Sequence, residues 1–143
     1  MGKKILVILT SANKIGDSGK PTGWYLPELA HPYKDLVGAG FEMDSVSPKG
    51  GKTPIVSLVP VRINGEPIVK GRKLTSFSNA EEDSMQLSSL MPFMLETRLK
   101  EQGAQYTAAT PWQKHVVVDG KLVTGQNPNS AAGVGQAIIQ LLK

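Results

Sequence analysis

Cysteine is absent from all 143 residues of this chain. That excludes a disulfide framework, a thiolate zinc site and any reaction that needs a thiolate nucleophile, while leaving the redox compartment open. Histidine is scarce, at two residues, so a metal centre built on imidazole is not expected. Long apolar runs are missing too: nothing approaches the roughly 20 residues that span a bilayer, and residues 5–9 are too short for the apolar core of a signal peptide. The net charge of +4 and pI near 9.4 come from scattered lysines and arginines, without a block of like charge or interleaved aromatics. These absences predict one cytoplasmic domain, large enough to bury a core, with no nucleic-acid or membrane partner, no metal and no cofactor.

What is present reads as alternating strands and helices. Residues 5–9 are a continuous aliphatic, β-branched run without alternation, the pattern of a strand buried on both faces of a parallel sheet. The following loop, residues 11–23, is rich in Ser, Gly, Asn and Lys and would lie at a strand's carboxyl end, where open α/β sheets form their ligand crevice. Leu29, Tyr33, Leu36 and Val37 recur at helical spacing, with Pro32 expected near the first turn and Gly38-Ala39-Gly40 as the stop. Residues 41–46 read as a second strand.

Further on, Asn64-Gly65 between Val61-Arg62-Ile63 and Ile68-Val69 predicts a hairpin. Residues 74–78 predict a short strand, and Asn79 the cap of a helix that breaks at Pro92 and resumes through Leu95 and Leu99 to Gly103. Residues 106–109 predict another strand. Asp119-Gly120 predicts a second hairpin, joining residues 115–118 to 122–124. Ser130 is expected to cap a C-terminal helix with Val134, Ala137, Ile138, Leu141 and Leu142 on its buried side. Gly16-Asp17-Ser18-Gly19-Lys20-Pro21-Thr22 fails as a phosphate loop, because Lys14 stands where that motif needs its first glycine and Pro21 separates lysine from threonine.

Two blocks carry a family resemblance. The first holds the leading strand, the Thr10-Ser11 turn, Lys20-Pro21-Thr22-Gly23-Trp24-Tyr25 and Pro27-Glu28-Leu29-Ala30-His31-Pro32-Tyr33. The second holds Thr75-Ser76-Phe77-Ser78-Asn79-Ala80-Glu81-Glu82 and Val118-Asp119-Gly120-Lys121-Leu122-Val123-Thr124-Gly125-Gln126-Asn127-Pro128. Together they resemble the DJ-1/PfpI superfamily in its Hsp31-like, glyoxalase III-like branch. The resemblance implies an α/β, flavodoxin-like (class I glutamine amidotransferase-like) three-layer sandwich in a single domain, 1–143. Between the blocks the family's Gly-Gly-His-Gly turn and its nucleophile elbow, Ala-Val-Cys-His-Gly-Pro, are absent, and residues 1–54 join residues 57–143 near Ile55 to Leu58. In the strand order 2-1-3-4-5 the lost strands would be the two central ones, which splits the sheet and exposes the edge of residues 5–9, with strand exchange between chains as one way to cover it.

The resemblance also assigns roles. Glu28 matches the acid beside the cysteine, against the plain reading of a first-turn glutamate favoured by the helix dipole. Glu82 matches the acid that orients the histidine after the cysteine, or it closes a capping box with Asn79; Glu81 is the off-by-one alternative. Trp24 and Tyr25 would wall a substrate pocket or anchor a loop as core aromatics. His31 and His115 read as structural. The family reaction is cofactor-independent conversion of methylglyoxal to lactate, or deglycation, and this chain is expected to be inactive because the thiolate is missing. Its rivals are a self-associating, chaperone-like module, expected as a homodimer or strand-swapped oligomer, and a chain that lacks the middle of an active enzyme.

Overall fold

The computed structural model describes residues 4–8, 14, 17, 19, 26–46, 59 and 62–143. The expected join near Ile55 to Leu58 lies outside them, as do Thr10, Ser11, Trp24 and Tyr25. A strand β1 (Lys4–Ile8) runs parallel to β2 (Glu42–Val46), Ile5 opposite Met43 and Val7 opposite Ser45, joined by helix α1 (Leu26–Gly38). Leu36, 1% exposed, is the residue of α1 that the core swallows, worth about 1.5–3 kcal/mol of burial. Tyr33 and Val37, which share the expected apolar spacing, are instead 49% and 45% exposed. Pro32 is not in the first turn: it is the seventh residue of α1, buried, on the side that meets the C-terminal helix. The helix stops at Gly40, at φ +84°, whose N–H bonds to Val37 O while Phe41 N–H reaches Leu36 O, the paired closure that a left-handed glycine allows.

The hairpin at Asn64-Gly65 is present, with β3 (Arg62–Ile63) antiparallel to β4 (Glu66–Pro67) and both loop residues at positive φ, 51° and 84°, as a primed turn requires. The second strand thus begins two residues before Ile68-Val69, and Val69 goes to the core. Next, β5 (Lys73–Leu74) pairs in parallel with β6 (Gln105–Tyr106), both shorter than expected. Thr75 N–H leaves the ladder to bond Thr124 Oγ1.

Between them lie α2 (Asn79–Ser84), a 3-10 turn at Ser88–Leu90 and α3 (Leu95–Glu101). The first helix therefore ends well before Pro92, at Met85-Gln86, where Gln86 adopts φ 57° and closes the turn through its N–H to Asp83 O. Val69, Leu74 and Leu99 with Val59 form the buried centre, and Ile68, Phe93, Leu95, Ala104, Tyr106 and Leu122 pack around it.

The last part is a hairpin, β7 (Val116–Asp119) antiparallel to β8 (Leu122–Gly125), followed by a 3-10 turn at Pro128–Ser130 and α4 (Ala131–Leu142). The two loop residues are Gly120 and Lys121 rather than Asp119 and Gly120, with Gly120 at φ 59°. Asp119 is held back in the strand because its carboxylate accepts from Arg72 Nε (2.6 Å) and Lys73 N–H (3.1 Å), tying the hairpin to β5. In α4 the buried residues are Ala131, Gly133 and Gly135, while Leu141, expected inside, is 47% exposed. Small residues face the neighbours because the neighbours come close: a methyl group on Gly135 would lie 3.0 Å from Pro32 Cα of α1, and one on Gly133 would lie 3.0 Å from Val116 Cγ2 of β7. Gly133 and Gly135 are about 200° apart around the helix, so α4 is gripped from two sides.

Among the described residues the strands form four separate pairs, and β1 does not ladder with β5. No helix among them is long and apolar enough to cross a membrane.

Candidate functional site

The sequence around residue 78 contains two overlapping capping boxes, Ser78 to Glu81 and Asn79 to Glu82. The structure uses the first. Ser78 is the N-cap of α2: its hydroxyl accepts from Glu81 N–H (3.2 Å), and Glu81 Oε2 accepts from Ser78 N–H (2.9 Å). Asn79 is the first helical residue of α2 and not its cap: its N–H, which a box with Glu82 would need, donates to Glu96 Oε2 (2.8 Å), and its amide nitrogen donates to Thr97 Oγ1 (2.9 Å), both on α3. The capping role expected for Glu82 therefore belongs to Glu81.

Glu81 does more than cap. It is fully buried, and its carboxylate accepts four hydrogen bonds: Oε2 from the Ser78 N–H and hydroxyl, and Oε1 from Trp112 N–H (2.9 Å) and Asn127 Nδ2 (2.8 Å). Asn127 also donates to Gln113 O (2.8 Å), and Ser130, 0% exposed, donates its hydroxyl proton to Asn127 Oδ1 (3.1 Å) while accepting from His115 N–H (3.0 Å). Ser130 thus stands at the start of α4 without capping it, because its oxygen is engaged elsewhere. Gln126, 2% exposed, exchanges two bonds with the Ala109 backbone.

Trp112 sits on this polar net. Its backbone is left-handed, φ 65°, a conformation that costs a bulky residue on the order of 1–3 kcal/mol and survives only where neighbours over-determine it. Here they do: its N–H goes to Glu81 and its carbonyl accepts from Asn129 Nδ2 (2.6 Å), while its ring meets Phe77 edge to face at 5.5 Å.

Glu82 is the opposite of its neighbour. It is 9% exposed, and its Oε2 has no hydrogen-bond partner among the described residues. Burial, then the nearby charges of Glu81 and Asp83, push its carboxyl above the ordinary 4.5. For Glu81, burial alone would also push upward, but the donors from Ser78, Asn127 and Trp112 outweigh it and hold the carboxyl below 4.5. Two adjacent carboxyls are therefore driven apart, one held ionised as an acceptor and the other able to keep a proton, which is the arrangement acid–base sites use.

The signs of the two shifts make a prediction. Glu82, with its folded pKa raised, adds stability below pH 4.5 that is lost as pH rises through the raised value; Glu81, with its pKa lowered, adds stability above pH 4.5 that is lost as pH falls. Glu82→Gln should therefore raise the thermal midpoint by a few degrees at pH 8 and change it little at pH 4, measured by calorimetry. A midpoint that falls at pH 8 would contradict the raised pKa.

Of the other expected site residues, Glu28 stands in the first turn of α1, its side chain outside the described set, and Trp24 and Tyr25 lie outside it altogether. His31 is exposed on α1. His115 places its Nε2 2.9 Å from Thr107 Oγ1. Asn127 and Trp112 as partners of Glu81, and Ser130 as the partner of Asn127, are not legible in the sequence. The available signal was a run of uncharged polar residues, Gln126-Asn127, between a strand and a helix, where buried amides must find partners. No cluster of metal-binding side chains occurs among the described residues.

No family model matches the chain. It is 34% identical over 80 residues to glyoxalase 3 of Candida albicans, covering 52% of this chain and 34% of that protein, and 33% identical over 84 residues to glutathione-independent glyoxalase HSP31 of Saccharomyces cerevisiae, covering 55% and 35%. The matched segment thus spans about a third of the length of these relatives. In structure it is similar to the rapid encystment protein REP24 of Francisella tularensis, with TM-score 0.89 and 26% identity over 99% of each chain. Glyoxalase III of Candida albicans superposes with TM-score 0.78 over 96% of each chain, at 20% identity, a likeness of fold.

Proposed function

Starting from a chain that is homologous over about half its length to Hsp31-like, glyoxalase III-type proteins of the DJ-1/PfpI superfamily and shares their fold, we propose that it keeps the acid side of such a site without the nucleophile and does not turn over methylglyoxal. The observation that carries this is the pairing of a cysteine-free sequence with a buried Glu82 whose second oxygen is unbonded among the described residues. In the family scheme that acid orients the imidazole beside the thiolate. Here its oxygen is left over, which fits a partner lost together with the elbow.

Glu28 and Glu82 are on this reading the residual acids, with Trp24 and Tyr25 as the pocket wall. The layout proposed is a flavodoxin-like sheet from which two central strands are missing. The two parallel pairs, β1 with β2 and β5 with β6, support it, because they stand as separate ladders among the described residues.

Catalysis of the family reaction needs a polarisable nucleophile to attack the aldehyde, and neither serine nor threonine replaces it without an adjacent base. The purified 143-residue protein incubated with methylglyoxal should form lactate no faster than buffer alone. Turnover that disappears in Glu28→Ala or Glu82→Gln would overturn the proposal.

A further inference from the structure

We propose that Glu81 is the positioning residue of the Glu82 site: an ionised carboxylate that fixes the first turn of α2 and the left-handed Trp112 peptide, so that the neighbouring Glu82 presents an oxygen unbonded among the described residues. This rests on the reading of Glu82 as the site's acid. The four groups around Glu81 are all donors, namely Ser78 N–H and Oγ–H, Trp112 N–H and Asn127 Nδ2–H. A carboxylate offers only lone pairs and satisfies all of them; a protonated acid or an amide would turn one of its own hydrogens against a donor.

The three segments joined are far apart in sequence: the cap of α2, the loop before β7 and the turn after β8. Each is therefore placed by the same charge. Because Glu81 saturates the Ser78 cap, Glu82 is not drawn into capping and its Oε2 stays without a partner among the described residues. Among the described residues, the titratable groups that feel Glu81 are Glu82 on α2 and Tyr106 on β6, whose hydroxyl burial and nearby acids push up to about 12.

The test is carboxyl NMR on protein labelled with 13C at the glutamate side chains. In the parent, Glu81 should remain ionised to below pH 4.5 and Glu82 should ionise above it. In Glu81→Gln the Glu82 midpoint should move down toward 4.5, and exchange of the Trp112 amide proton should speed about tenfold or more, the size expected when a hydrogen bond to a charged group is lost. A merely space-filling Glu81 would leave the Glu82 midpoint in place, and that result overturns the proposal. So does a parent in which Glu81 titrates at or above Glu82, a measurement that requires no variant to fold. Methylglyoxal turnover would undo the proposed function and leave these titrations as they are.

Discussion

Glu81→Gln should destabilise the protein by roughly 2–5 kcal/mol, with a fall in the thermal midpoint on the order of 10 °C. The substitution barely changes volume, so packing predicts almost nothing; the effect is one of hydrogen-bond polarity. With one oxygen replaced by NH2, either the Ser78 pair or the Trp112 and Asn127 pair meets a donor instead of an acceptor. Each buried donor left without a partner costs about 1–3 kcal/mol, and Glu81 itself is 0% exposed. The left-handed Trp112 peptide loses one of the contacts that hold it, which adds to the loss. Denaturant titration at pH 7 checks the prediction. A variant within about 0.5 kcal/mol of the parent would mean that Glu81 is not the ionised centre of this net.

Gly135→Leu should cost about 1–3 kcal/mol or more by separating α1 from α4. At Gly135 the nearest atom to an added methyl is backbone, Pro32 Cα at 3.0 Å, followed by Asp35 Oδ2 at 3.4 Å. Backbone cannot rotate away, so a leucine must move a whole helix. The expected result is a lower midpoint together with a displaced α1, visible as shifted amide resonances across residues 26–38. Gly38→Ala serves as the control, since nothing lies within 4 Å of its added methyl. Equal behaviour of the two variants would show that α1 and α4 are not in close contact in solution.

The elements that sequence made legible are those whose signal is local. Asn64-Gly65 announces its hairpin because both residues tolerate positive φ, and the aliphatic run of β1 announces a parallel strand. Tertiary partners decided the rest. Asn79 and Ser78 are equally good caps on paper, but Ser78 and Glu81 bond reciprocally while Glu96, brought in by α3, takes the Asn79 N–H that a box with Glu82 would need. Pro92 looked like the helix breaker, yet the chain turns earlier, at Gln86, in a conformation that no periodicity reveals. Ser130 reads as a cap and has its hydroxyl diverted to His115 and Asn127. For the site, residue types marked the Glu81-Glu82 pair, but which of the two is saturated and which is free depends on donors more than 30 residues away at Trp112 and Asn127.

The two-sided grip on α4 limits how this segment can change over evolutionary time. Glycine within a helix is worth about 1 kcal/mol less than alanine, so the commonest improving substitution would be glycine to alanine. At Gly135 it runs into Pro32 Cα and at Gly133 into a methyl of Val116. Variation is left to the outward positions, Ala132, Gln136 and Gln140. Related sequences that keep this packing should therefore vary there and hold the two small residues, a pattern set by the room left around α4 rather than by any chemistry of the acids.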